Sequence, residues 1–472
     1  MNRARRPIMH SLVAISVTAI MIVAGMAPAF AQQGDEIQVT DSEVRADQPD
    51  VAVDSNGNVH IVYFDEYETS YREIWYTMLD QNGNTLIDDT RMSTDNDESS
   101  KHPTIVVDSN DMVHIVWAES GKYHSIYEIW YTKLDPGQDD QDGDAADPAA
   151  ITLVDDIALT DLDTYLTHPR IAVDSNDHIH IVWEEDTDDV YYMKIDNNGN
   201  ELVAAKVIRW CSLNWYGRPY VAMDSNDNAH ITWNDDADTD TYEIYYMMLD
   251  GSNGNTLIDA TLLTPDDDER SKRQTIVVDR QDMVHIIWAD YRPTGENEIF
   301  HTKLDPSRDD QDGDAADEGV ITVIDDTMLT TDDGDYSFNP QSAIQCGRYI
   351  HVAWYDNYDS SYDIFYMVLD TNGNILVPVQ VLTTTNSVSY TTENRDNQPS
   401  LDVHSEGKAH ITWCDDRTGY NEVWSTNYQW TSCAVGVEAS PINKVTLLMP
   451  WIALAAAIVA GGIILARRRA HS

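Results

Sequence analysis

The 472-residue sequence is short of positive charge. Only 29 Lys and Arg stand against 82 Asp and Glu, for a formal net charge of −53. The basic residues also gather at the ends: Arg3, Arg5, Arg6, Lys444 and Arg467 to Arg469 are 7 of the 29, so residues 32–443 carry 22 − 82, about −60. Such a surface repels nucleic acid and anionic lipid headgroups. It suits divalent cations, basic partners or a high-salt medium, and it also keeps a protein soluble. Cysteine is scarce too. Cys211, Cys346, Cys414 and Cys433 are the only four, and no C-x-x-C pair occurs, which argues against a zinc or thioredoxin-type site. In an exported protein Cys414 and Cys433 could bridge the last repeat to the segment leaving it, although spacing does not fix the pairing. No G-x-S-x-G, H-E-x-x-H or P-loop motif is present, which removes the commonest hydrolase, zincin and phosphate-binding signatures.

What is present is a repeat. Pro103 to Glu119 reads as two β-branched runs around an Asp-Ser-Asn-Asp turn, a hairpin signal. The pattern recurs seven times, with histidine at His60, His114, His180, His230, His285, His351 and His410. Three residues later comes Tyr63, Trp117, Trp183, Trp233, Trp288, Trp354 or Trp413. Copies 50 to 66 residues apart, each with several short strands, predict an all-β, seven-bladed β-propeller over residues 35–430. Each blade reads as four antiparallel strands, A to D. The seventh copy stops after strand C, and Glu36–Glu43 is the segment expected to supply its missing strand, closing the ring. A longer period lies above the first: His60 to His230 is 170 residues, while His114 to His285 and His180 to His351 are 171. Blades one to three are thus copied as blades four to six.

The ends read as addresses. Residues 1–31 have the charged start, apolar core and Ala29-Phe30-Ala31 close of a signal peptide. Residues 431–444 read as a linker. Residues 445–466 are 22 uncharged residues, long enough for a transmembrane helix, and residues 467–472 hold the arginines of a cytoplasmic tail. The propeller is expected outside the cell, monomeric, and tethered to the membrane. The layout of the C-terminal end resembles the tripartite sorting signals of prokaryotic surface proteins, which implies either a helix removed on attachment or a plain anchor.

Three sets of residues are candidates for chemistry. The histidines and tryptophans are radially spread and cannot converge on one ion, so they read as blade core. The acids after the aromatics, Asp65, Glu119, Glu185, Asp235, Asp290, Asp356 and Asp415, are expected to ring the mouth where propellers bind ligands. Residues ahead of strand A line the same rim: Gln48, His102, His168, Arg218, Arg273, Asn339 and Gln398, with Arg292 and Arg417 added by loops. A belt of local ion pairs is the alternative. The loop Asp140, Asp142, Asp144, Asp147 and its copy Asp310, Asp312, Asp314, Asp317 space hard oxygen ligands at every second residue, as calcium prefers. A solvated acidic loop is the alternative there.

The Pro-x-Ile-x-Val-Asp-Ser-Asn-x-x-x-His-Ile-x-Trp repeats resemble the sialidase-like and BNR-type propellers of secreted glycan-processing proteins, over residues 35–430. That resemblance implies three arginines for a substrate carboxylate, a Tyr/Glu nucleophile pair and an aspartic acid. The sequence departs from it: the Ser-x-Asp-x-Gly-x-x-Trp box is absent, no Arg-Ile-Pro precedes the first blade, and Tyr291-Arg292-Pro293 is a faint echo in another blade. The expectation is therefore a surface-displayed, non-catalytic propeller that binds an extracellular glycan or protein. A sialidase-like hydrolase or lyase is the alternative. An enzyme needs three basic groups, a tyrosine and an acid converging on one pocket.

Overall fold

A computed structural model describes residues 32–430, except 43, 67–70, 95, 121–125, 162–163, 186–188, 211–216, 237–238, 240, 266–268, 292–294, 317, 332–333, 358–361 and 384–397. Contacts divide the chain into Met1–Ser432 and Cys433–Ser472, and every described residue belongs to the first unit. The expected signal peptide, linker, transmembrane helix and tail lie outside the described residues, as do Cys211, Cys433, Arg292 and Asp317. Among the described residues no helix is long and apolar enough to cross a membrane.

Seven antiparallel sheets form the propeller, six of them with four strands in sequence order. Blade two shows the plan: strand A is Ser100–Val107, B is Val113–Ser120, C is Tyr127–Leu134 and D is Thr152–Ala158. In blade seven A, B and C are Ser400–Val403, Lys408–Asp415 and Glu422–Gln429. The chain's beginning completes that sheet, but in two pieces and with earlier bounds than Glu36–Glu43. Gln32–Gln33 pairs with Gln429 and Tyr428, and Ile37–Gln38 with Ser425 and Trp424. Closure of this kind leaves no open seam in the ring.

The repeated residues explain why each blade forms. Strand B is buried along its length, and six tryptophans, Trp117 through Trp413, are its largest fully buried side chains. Most stack on an aromatic of strand C, as Trp183 does on Tyr191 at 5.5 Å and Trp233 on Tyr245 at 5.8 Å. Truncating one to alanine is expected to cost about 3–5 kcal/mol. The histidines point to the opposite side and carry a relay of hydrogen bonds. His114 Nδ1 lies 2.9 Å from the Tyr131 hydroxyl and its Nε2 3.2 Å from Asp108. The same Asp–His–Tyr set recurs as Asp174, His180 and Tyr192. Buried imidazoles are satisfied in this way.

The turn between A and B does two jobs. Asp54 accepts from the backbone N–H of Asn56 and Asn58 at 2.9 and 2.8 Å, closing its own loop. The fourth residue serves the preceding blade. Ser55 Oγ donates to Asp111 at 2.8 Å, Ser109 to Asp177 at 3.1 Å, Ser175 to Asp227 at 2.8 Å and Ser225 to Asp282 at 2.8 Å. The Asp-Ser-Asn-Asp motif is thus a clasp running around the ring through blades one to five. Cys414 is not bridged as expected. It is a free thiol, fully buried in strand B of blade seven, where burial and nearby Asp47 push its pKa up. Of the two cysteines among the described residues, the other, Cys346, is disulfide-bonded.

Candidate functional site

In six of the seven blades a kink stands at or just ahead of strand A. In five blades a β-bulge interrupts its pairing with strand B, as between Lys101 and Thr104 or Lys272 and Thr275. Gln48, His102, His168, Arg218, Arg273 and Asn339 sit at these kinks with φ of 54°, 53°, 49°, 36°, 62° and 52°. Left-handed backbone at non-glycine residues costs about 1–2 kcal/mol each. Bulges of this kind re-aim side chains: Gln48, His102 and His168 line one cavity, and Arg273 and Asn339 another.

At the axis these residues close the channel. Tyr220 takes hydrogen bonds from Arg170 at 3.2 Å and Gln341 at 2.8 Å, and Gln341 also donates to Gln398 at 3.0 Å. The cavity left beside Gln48, His102, His168 and Gln398 is about 30 Å³, room for a water or so. His102 and His168 lie with ring centroids 4.0 Å apart. His168 Nδ1 is 2.5 Å from buried Glu184, whose other oxygen accepts from the Arg218 N–H at 2.7 Å. The axis is therefore a plug of cross-blade hydrogen bonds, not an open funnel.

Nor do the seven acids form a ring of presented carboxylates. All but Glu185 are buried. Glu119 accepts from Trp117 Nε1 at 2.9 Å and Ser100 Oγ at 3.1 Å, and burial raises its pKa. Asp290 repeats the pattern with Trp288 at 3.1 Å and Ser271 at 2.8 Å, and Asp356 with Trp354 at 3.4 Å and Ser337 at 2.7 Å. Asp65 accepts from Ser42 at 3.1 Å, Asp235 pairs with Arg209 at 3.3 Å, and Glu185 accepts from Tyr191 at 2.9 Å. Asp415 is held by Arg417, which also reaches Glu36 at 2.6 Å and stacks over Trp424 at 4.1 Å. That pairing ties the closing segment to blade seven. These acids are taken up by bonds inside the protein, most within their own blade, while the Asp235–Arg209 pair ties blade four to strand D of blade three.

The open space lies off the axis, over blade five. A cleft of about 520 Å³ is lined by Arg270, Lys272 and Arg273, by Asn234, Asn297 and Asn339, and by Tyr242, Tyr336, Phe338 and Tyr362, with Ala289 beneath. Between residues 32 and 443 no other four-residue stretch carries three cations. Tyr336 is hydrogen-bonded to Glu296, which raises its phenol pKa. Sequence reasoning found Arg273 and Asn339 but missed Lys272, Asn297 and Tyr336. The cluster Arg270-x-Lys272-Arg273 was the signal available.

On the far side, Asp140, Asp142 and Asp144, and separately Asp310, Asp312 and Asp314, bring carboxylate oxygens within 4.8 Å of one another. All six are exposed. Asp142 raises the pKa of Asp144, and Asp312 that of Asp314. Asp147 is elsewhere: it accepts from the Ala149 N–H at 3.1 Å as the cap of a short helix. Each loop docks on the preceding blade, with Asp88 N–H donating to Asp144 O and Asp259 N–H to Asp314 O, at 2.9 and 2.8 Å.

No family profile and no curated protein matches the chain. Solved structures do. A PL25 ulvan lyase, a polysaccharide lyase, is similar at 10% identity and a TM-score of 0.53, over 84% of this chain and 95% of its own. The same lyase bound to -[GlcA(1-4)Rha3S]- matches with a TM-score of 0.52 at 10% identity, with the same coverage of 84% and 95%. A protein of unknown function from Dyadobacter fermentans matches at 7% identity and a TM-score of 0.51, over 85% of this chain and 100% of that one. At such identities the likeness is one of fold: an all-β, seven-bladed propeller.

Proposed function

We propose that the protein binds an anionic glycan in the cleft over blade five. One observation carries the reading: Arg270, Lys272 and Arg273 share a single open cleft with Tyr336, Phe338 and Tyr362, on a protein whose net charge is −53. Guanidinium groups bind carboxylate or sulfate oxygens in pairs. Aromatic faces stack against sugar rings, and amides such as Asn297 and Asn339 can bond to hydroxyls. The surrounding negative field disfavours anions everywhere else, so the cleft is also selective by contrast. The sialidase-like resemblance and the fold shared with a glycan lyase are consistent with a sugar ligand.

A glycan array probed with the full chain tests this. Uronate- or sulfate-bearing glycans are expected to bind, and Lys272→Ala is expected to weaken them at least tenfold, with a steep loss at high salt. Binding confined to neutral glycans, or indifferent to Lys272→Ala, would overturn it.

One observation favours the second reading, glycan cleavage at the same cleft. Tyr336 and Glu296 place a hydroxyl with an attached carboxylate beside the three cations, the combination a sialidase-like hydrolase or a lyase needs. Release of new reducing or unsaturated ends, lost in Tyr336→Phe, is the expected result; turnover unaffected by that change would contradict it.

Display on the cell surface is part of the proposal. It is supported by the signal-like residues 1–31, the apolar residues 445–466 with Arg467 to Arg469 behind them, and a disulfide at Cys346, since disulfides persist in oxidising compartments. We also assign calcium to the two aspartate triads. Their donors are hard oxygens at ligand spacing, and a divalent ion would relieve the repulsion that raises Asp144 and Asp314.

A further inference from the structure

Six of the seven repeat histidines have the same company. Nδ1 of His60, His114, His180, His230 and His351 meets a tyrosine hydroxyl at 2.7, 2.9, 2.9, 2.8 and 2.6 Å, and that of His285 meets His301 at 3.0 Å. The partner always comes from one register position of strand C. In blade one, Tyr76 stands opposite Val62; in blade seven, the residue opposite the matching Thr412 is Ser425. The turn residue changes too. Asp54 and its equivalents give way to His404, which turns to the Ser55 carbonyl at 3.2 Å instead.

His410 is thus left without its usual neighbours. It is 3% exposed, and on the strand C side it meets Ser425 where its sisters' Nδ1 meets a tyrosine or His301. It lines a cavity of about 260 Å³ between blades seven and one, with Ser425, Thr426, Asn427, Val59 and Leu79. Replacing a tyrosine by serine at that position removes a phenol ring from the imagined wall, and a phenol ring is what the sister blades place against the same imidazole.

We propose that this cavity is a binding site for a small neutral phenol, whose hydroxyl donates to the His410 imidazole while its ring packs against Val59 and Leu79. Burial takes the His410 pKa down to about 3, so the imidazole is neutral and accepts a proton-bearing hydroxyl. Asp35 and Asp80 line the cavity against one cation, Lys408, whose ammonium is held by the Gln81 carbonyl at 2.7 Å, so two carboxylates to one ammonium oppose a carboxylate or phenolate. The site is independent of the cleft over blade five.

The probe is p-cresol, the tyrosine side chain itself, titrated into the full chain by calorimetry. One molecule per chain is expected to bind, 4-methylanisole (the same ring without the O–H) at least tenfold more weakly, and Ser425→Tyr is expected to reduce p-cresol binding at least tenfold by refilling the space. As a second readout, the His410 imidazole ¹⁵N resonances should shift as p-cresol is added to the unmodified protein. No saturable binding, unshifted His410 resonances, equal binding of the anisole, binding unchanged in Ser425→Tyr, or displacement of p-cresol by methyl glucoside would overturn the assignment.

Discussion

Blades two and five are copies, yet one top face is shut and the other open. In blade two, Lys101 is 8% exposed. Its ammonium lies 4.0 Å from the ring centre of Tyr127 and 4.5 Å from that of Tyr165, and it is hydrogen-bonded to the Tyr165 hydroxyl. Those two rings stand edge to face at 4.6 Å. In blade five the lysine is kept as Lys272, opposite Ala289 as Lys101 is opposite Ala118, and Tyr165 is kept as Tyr336. The residue preceding the strand C glutamate changes: Tyr127 becomes Asn297. Where that ring is missing, Lys272 lines the cleft of about 520 Å³. Ser99 and His102 have meanwhile become Arg270 and Arg273. One duplicated scaffold thus carries a closed cation–π box on one side and a cationic cleft on the other. The aromatic ring of the box that differs between the two is Tyr127, replaced by Asn297.

The comparison can be broken most forcefully at that ring. Asn297→Tyr is expected to close the blade-five cleft and lower affinity for an acidic oligosaccharide more than tenfold, with the fold intact by circular dichroism; unchanged affinity in calorimetry would mean that the ring does not decide access. The reverse change, Tyr127→Asn, should free Lys101. It is expected to cost about 1 kcal/mol in a denaturant melt by removing one cation–π contact, and to add a second, weaker binding event for the same oligosaccharide.

Where the halves agree, they should respond alike. Burial raises the pKa values of Asp54 and Asp224, but hydrogen bonds from His60 and Asn58, and from His230 and Asn228, outweigh it and bring both down to about 2. Because the folded values lie below the unfolded 3.8, the stability they contribute is present above about pH 4 and is lost as pH falls toward about 2. Asp54→Asn and Asp224→Asn should each flatten that acid limb in pH-dependent melts, and by similar amounts. The smallest effect is expected at the aspartate triads. Calcium should raise the melting temperature by a few degrees and chelator reverse it, with Asp142→Asn and Asp312→Asn each removing about half of the rise if each loop holds one ion. A melt indifferent to chelator at fixed ionic strength would leave high-salt solubility as the reason for these acids.

Much of the architecture was legible because the repeat is written in residues whose roles are local. His114, Trp117 and Asp108 fix strand, turn and core within ten residues, so counting copies counted blades. Closure was legible from a missing strand at one end and a spare one at the other. The site was harder. Glu119 and Asp290 fall at the expected rim by register, but whether a carboxylate faces a ligand or its own Trp and Ser depends on a rotamer, which sequence does not encode directly. The clasp formed by Asp111 and Asp177 joins residues more than fifty positions apart, and the turn motif alone gives no hint of it. The Tyr127-to-Asn297 exchange was hidden because the loop before it is one residue shorter in blade five. Strand B is offset by 171 between the copies and strand C by 170, as Ala118 to Ala289 and Ile129 to Ile299 show, so a single fixed offset misaligns the pair that matters. Cys414 shows the same limit: its place next to a chain exit pointed to a bridge, while its burial in strand B keeps it a thiol.

Hydrogen-exchange mass spectrometry of the full chain, with and without the tightest-binding acidic glycan from the array, tests the central claim most directly. The account predicts protection concentrated at residues 269–274 and 334–340, with residues 98–103 and 164–169 of the closed copy unchanged. Protection centred on blade two or on the axial plug at Tyr220 and Gln341, with blade five unaffected, would contradict it.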